Sequence, residues 1–211
     1  MKSTIQRAIA VPAVALAVLA ISIPLFACEW SLTSASIREA YAFGRKKNVK
    51  TALFLKRYSH DFPPPRRGPN VAVIQLETPY MLVVKRSGEL PNYEAEDAEK
   101  EFLGKPEVVR FIVRIDFTPS YSHRITSADP GVTAERPPDF WRDFKIRALE
   151  GDEITPSRLN GTPQYSGGTL DGAIVSLEFD PAKLHCEPAT VEVWTPDGQH
   201  IEATFDLPKL K

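Results

Sequence analysis

Val108-Val-Arg-Phe-Ile-Val-Arg-Ile-Asp-Phe117 places Val109, Phe111, Val113 and Ile115 on one side of an extended chain, and Arg110, Arg114 and Asp116, with Ile112, on the other. Successive strand side chains point to opposite faces, so this alternation predicts a half-buried strand with one face on a core. Working outward, Val71, Val73 and Gln75 alternate with Ala72, Ile74 and Leu76, and Met81–Lys85 reads as a partner strand across a turn at Thr78 and Pro79. Strand signals return at Phe140–Leu149, Ala173–Phe179, Thr190–Trp194 and His200–Leu207. The last two are joined by Pro196-Asp-Gly198, where glycine supplies the positive φ of a tight hairpin. Residues 118–138 read as a long loop, and 150–168 as mostly turn. Short strands separated by turns predict an α+β, mainly β protein: an antiparallel β-sandwich-like domain with a short helical N-terminal part.

Helical signals are confined to the front, apart from one short helix within 92–103 carrying Ala95, Ala98 and Phe102 on one face. Ser36 and Glu39 have the spacing of a capping box. Ile37, Ala40 and Tyr41 share the following face, and Gly44 is the expected stop. A second helix is expected from Asn48, with Val49, Ala52, Leu55 and Tyr58 on one stripe, and Pro63-Pro-Pro65 ends it. The 19 prolines argue against a long helical bundle.

Lys2 and Arg7 precede an apolar run from Ala8 to Ala27, the order of a secretory signal. Its end, Leu25-Phe-Ala-Cys28, resembles the lipobox of bacterial lipoproteins, which implies cleavage before Cys28 and acylation of its thiol; Phe26 stands where that motif has a small or aliphatic residue. Two alternatives remain open: an uncleaved anchor, or ordinary cleavage with Cys28 paired to Cys186. Lipidation and the disulfide exclude each other because both use one sulfur. Every version places the folded part outside the cytoplasm, in the cell envelope or periplasm. Positive charge soon after the run, at Arg38, Arg45, Lys46 and Lys47, opposes translocation. The expected organisation is a signal peptide at 1–27, a helical, basic, membrane-proximal segment at 28–67 and the β-rich domain at 68–211.

Ile37-Arg-Glu-Ala-Tyr-Ala-Phe-Gly44, Thr78-Pro-Tyr80 and Thr195-Pro-Asp-Gly198 resemble a set of uncharacterised exported bacterial proteins. The resemblance spans 36–211 and implies a real domain, but it transfers no mechanism.

With 43% hydrophobic and 25% charged residues the chain is not a disordered one. A net charge of −1 argues against a general nucleic-acid binder, and two cysteines cannot form a four-thiolate zinc site. His60, His123, His185 and His200 are scattered, and the adjacent pair His185-Cys186 reads as an incidental loop histidine beside a thiol. Gln164-Tyr-Ser-Gly-Gly168 lacks the first glycine of a nucleophile elbow and has no following helix, so it reads as a turn. Glu150, Asp152 and Glu153 lack the ladder of a calcium loop, and the acidic residues of 94–101 read as a solvated face. No catalytic, cofactor or metal residue is assigned, and Cys28 is the one modification site expected. The unevenness lies in charge: residues 45–67 hold eight cations against Asp61 alone. Such a segment suits anionic lipid, whereas its bland alternative is a solvated face neutralised by the acidic helix.

The leading expectation is an envelope lipoprotein without catalytic function, serving binding or assembly through its lipid anchor, anionic lipid or an envelope protein. One rival is an exported hydrolase assembled from Ser166, His123 or His185 and a carboxylate. Another is an accessory subunit of an envelope transport or secretion complex.

Overall fold

The computed structural model describes residues 28, 30–126 and 133–211. The signal segment 1–27 lies outside them. Val109–Asp116 (β3) is the central strand of a five-stranded antiparallel sheet, flanked by Asn70–Glu77 (β2) and Thr169–Phe179 (β9). Ser59–Asp61 (β1) and Arg158–Ser166 (β8) form its edges. Its apolar face behaves as the alternation predicts: Val109, Phe111, Val113 and Ile115 are all fully buried. Register explains why. Phe111 lies between Leu76 and Leu177, Val113 between Ile74 and Val175, and Ile115 between Val71 and Ala173. A bulge between Val71 and Val73 reverses the phase of β2, so Val71 joins Ile74 and Leu76 inside, contrary to strict alternation.

The second sheet is antiparallel and runs in the order His200–Asp206 (β11), Pro188–Trp194 (β10), Lys145–Glu150 (β6) and Asp152–Ile154 (β7). Ala189, Val191, Val193, Ala148, Ala203 and Phe205 are its buried apolar side chains. The two inner faces share one core, with Phe111 5.6 Å from both Phe179 and Phe205. The sandwich is open. Where β1 nears β11, the His60 ring meets Phe205 edge-on and its Nε2 lies 3.1 Å from the Thr204 carbonyl oxygen.

Helices are not confined to the front. Besides Ser34–Arg45 (α1) and Val49–Lys56 (α2), the described residues include Pro79–Glu89 (α3) and Ala95–Phe102 (α4), both between β2 and β3. Met81–Lys85, expected as a strand in a hairpin with Val71–Leu76, therefore belongs to a helix. Thr78 caps it through an Oγ1 that accepts from the Met81 amide at 3.2 Å, and Pro79 occupies the first turn, where its missing N–H costs nothing. Tyr80 to Val84 are all buried, so no polar face marks a helical period. Met81 reaches the sandwich core, while Tyr80, Val83 and Val84 pack with Ile37, Ala40 and Ala98.

Two helix boundaries also move. Thr33, not Ser36, caps α1, and Ser36 supplies the returning side chain of the box. Gly44 lies inside α1, where a Cβ would collide with the Val84 carbonyl and the Ser87 hydroxyl, and the chain turns instead at Lys47 with φ 46°. In α2 the buried side is built from Thr51, Phe54 and Leu55 with Tyr58 beyond, whereas Val49 and Ala52 face solvent.

The stretch 150–168 contains β7 and the nine-residue β8 rather than mostly turns. Pro163 and Gly161 hide β8 from sequence reading, but an edge strand tolerates proline, and Gly161 leaves room for the Trp141 ring. Phe140–Asp143 forms a 3-10 turn before β6, and the expected loop at 118–138 carries a hairpin of Arg124–Thr126 (β4) with Thr133–Glu135 (β5). Residues 127–132 lie outside the description.

Segment 28–67 shares its core with the rest: Trp30 and Tyr58 are buried in the sandwich cluster, β1 belongs to the first sheet, and the Tyr58 hydroxyl donates to the Lys211 carbonyl at 2.8 Å. No helix among the described residues is long and apolar enough to cross a membrane.

Candidate membrane-facing surface

Cys28 and Cys186 form a disulfide with a Cα–Cα distance of 5.4 Å. A sulfur so bonded cannot carry a diacylglyceryl thioether, so this pairing and the expected lipidation of Cys28 are mutually exclusive states of one residue. The alternative pairing is the one present. The loop at its far end is held by Glu150, whose side chain is fully buried: Oε2 accepts the His185 amide and Oε1 the Glu187 amide, each at 2.8 Å. Cys186 sits between those amides with φ 61°, a conformation unusual for a residue bearing a Cβ. The structure thus gives Glu150 the task of clamping the disulfide loop. His185 is an exposed neighbour, 3.5 Å from the same carboxylate.

The hydrolase candidates do not converge. Gly167 and Gly168, with φ 56° and 83°, form the two-residue turn between β8 and β9, and Ser166 pairs with Thr169 across it. His123 lines a cleft of about 260 Å³ with Glu135, Arg136 and Tyr165, while His185 stands at the disulfide. Among the described residues no histidine ring nitrogen hydrogen-bonds to a serine hydroxyl.

The acidic helix α4 is occupied by partners other than the basic segment. Glu99 accepts from Ser34 and from Arg38 Nε (2.8 Å), Glu101 pairs with Arg86, and Glu94 accepts the Tyr41 hydroxyl at 3.1 Å. Hydrogen bonding to the Ser34 hydroxyl and then to Arg38 holds the Glu99 carboxyl below its ordinary value. Among the described residues this helix therefore makes no ion pair with the cations of 45–67. Among the described residues, Lys46, Lys47, Lys50, Lys56 and Arg57 make no ion pair with a carboxylate.

These cations surround an apolar surface. Asn48 caps α2, its Oδ1 accepting from the Thr51 amide at 3.0 Å, and the inward side packs Phe54 against Phe43 and Tyr58. The outward stripe carries Val49, Leu53 and Lys56 at i, i+4 and i+7. Val49 is 74% exposed and Leu53 59%. Sequence reading identified the basic charges but placed Val49 inward, because an eight-residue helix holds too few turns to separate its two apolar sides.

Strand pairing makes a further cluster that linear spacing hides. Glu192 lies opposite Glu202, and His200 Nε2 is 3.5 Å from a Glu192 oxygen. Each of the three offers a ligand atom within 4.8 Å of the others, but Glu192 already accepts from Arg147 Nε at 2.6 Å. Beside them Trp194 stacks on His200 at 4.6 Å, with Arg147 4.5 Å from the indole centre.

Comparison with models of protein families and with curated proteins finds no match, so the surface is interpreted from its own chemistry.

Proposed function

We propose that the protein is an exported binding module of the cell envelope, without catalytic function, which rests on an anionic lipid surface through α2. The observation that carries this reading is the exposed Val49 and Leu53 pair, on a helix flanked by cations that pair with no carboxylate among the described residues. A buried apolar helix face explains neither the exposure nor the charge, whereas a lipid interface uses both. Inserting the two side chains contributes on the order of 3 kcal/mol, and each cation near anionic head groups adds ~1 kcal/mol. The Cys28–Cys186 bond supports the exported setting, since such bonds persist in oxidising compartments. With that sulfur occupied, attachment is peripheral and reversible rather than through a lipid anchor.

Flotation of the oxidised protein with vesicles tests the proposal. Vesicles rich in anionic lipid should carry the protein, neutral vesicles should not, and Val49→Glu with Leu53→Glu should lower partitioning at least tenfold. Equal binding to neutral vesicles, or no loss in the double variant, would refute it. Mass spectrometry of the mature N-terminus adds a second arm, because a diacylglyceryl group on Cys28 would replace peripheral docking by anchoring.

A further inference from the structure

Beside α2, a cleft of about 470 Å³ opens between α1, α2, α3 and the C-terminal residues. Its floor is aromatic. Phe54 lies 5.3 Å from Phe43, edge to face, and 5.9 Å from the buried Tyr80. Four cationic side chains, Lys46, Arg57, Lys209 and Lys211, stand around it with one carboxylate, Glu39.

The charges are not equivalent. Glu39 Oε1 accepts from Lys211 Nζ and from the Tyr80 hydroxyl, both at 3.1 Å, so this carboxylate is already served. Lys209 pairs with Asp206. Arg57 donates to the Lys209 carbonyl, and neither it nor Lys46 pairs with a carboxylate among the described residues, which leaves these two cations at the mouth of an apolar cleft. The volume is within the ~300–1,000 Å³ usual for small-molecule sites, and a mainly apolar lining with a few fixed polar groups is their usual construction. A purely apolar ligand would leave the cations unanswered, and a small free anion would leave the aromatic floor uncovered.

We infer that the cleft binds one anionic amphiphile: an acyl or alkyl chain over Phe43, Phe54 and Tyr80, with a carboxylate or phosphate head at Lys46 and Arg57. This rests on the envelope reading for the source of the ligand, but not on docking to a bilayer. Val49 and Leu53 do not line the cleft.

Calorimetric titration of the full chain with dodecyl phosphate below its micelle concentration tests the assignment, using octyl phosphate, inorganic phosphate and dodecyl maltoside as comparisons. Dodecyl phosphate should bind once and saturably. Affinity should rise from octyl to dodecyl by up to about fourfold per methylene. Lys46→Glu with Arg57→Glu should weaken binding at least tenfold, and Ala42→Trp, which fills the cleft from an exposed position of α1, should abolish it while leaving the unfolding transition in place. The Val49→Glu, Leu53→Glu protein should retain dodecyl phosphate binding, which separates this inference from the vesicle proposal. Equal affinity for the maltoside, equal affinity for inorganic phosphate, no saturable binding, or indifference to Ala42→Trp overturns it.

Discussion

Replacing Cys28 and Cys186 together by serine should cost the protein a large share of its stability. The bond joins residues 158 apart, so most of the described chain, though not β10 and β11, lies within its loop. Loop-closure entropy over that separation comes to about 17 cal/mol/K, or about 5 kcal/mol at 25 °C. The realised loss should be nearer 3–5 kcal/mol, because denatured chains retain some compactness. That compares with a total of about 5–15 kcal/mol for a typical domain. Urea unfolding of the oxidised protein and of the Cys28→Ser, Cys186→Ser variant measures the difference. The variant should also show a steeper denaturant dependence, since its unfolded state is free to expand. Stabilities within 1 kcal/mol of each other, or two free thiols in protein recovered from an oxidising compartment, would refute the reasoning.

Other outcomes follow from single contacts. Glu150→Ala removes the acceptor of two amides beside Cys186 and should destabilise by about 3 kcal/mol, measured by urea unfolding, while Glu153→Ala, on the exposed strand β7, should have little effect. Gly44→Ala drives a methyl group into the Val84 carbonyl and should cost about 1–3 kcal/mol, read as a lowered unfolding midpoint. Burial, followed by the charge of Glu39, raises the Tyr80 hydroxyl well above its ordinary value of 10, and burial also raises Tyr58. Their stabilising contribution is complete below pH 10 and disappears as pH rises through the folded-state values, so absorbance titration should show Tyr58 and Tyr80 ionising late or with unfolding, together with Tyr41, Tyr93 and Tyr121, which desolvation also raises. Glu39 has the opposite sign: the Lys211 hydrogen bond holds it below 4.5, and its contribution is lost as pH falls through the lowered value. Lys211→Met should reduce that acid dependence in a stability–pH profile.

The resemblance segments prove to be rich in structural positions. Gly44 permits the close approach of α1 to α3, Thr78 caps α3, and Thr195 through Gly198 form the β10–β11 turn, where the Thr195 Oγ1 accepts the Gln199 amide at 2.9 Å. Such residues report architecture more readily than activity.

Local sequence determined the elements whose physics is local. The alternation in Val108–Phe117 specified β3 because one face meets the core and the other meets charge, and glycine marked the β10–β11 hairpin because its turn needs positive φ. The basic excess of 45–67 was also legible, since charge requires no fold to be counted. Tertiary structure decided the rest. The Tyr80–Val84 stretch of helix α3 is buried all round and so shows no amphipathic period; β8 is tolerated with Pro163 because it is an edge; and one bulge in β2 exchanges its faces. The meeting of Cys28 with Cys186, the use of Glu150 as a clamp and the exposure of Val49 and Leu53 all depend on which distant segments come together. Charge and periodicity are properties of a chain, whereas pairing, burial and clefts are properties of its neighbours in space.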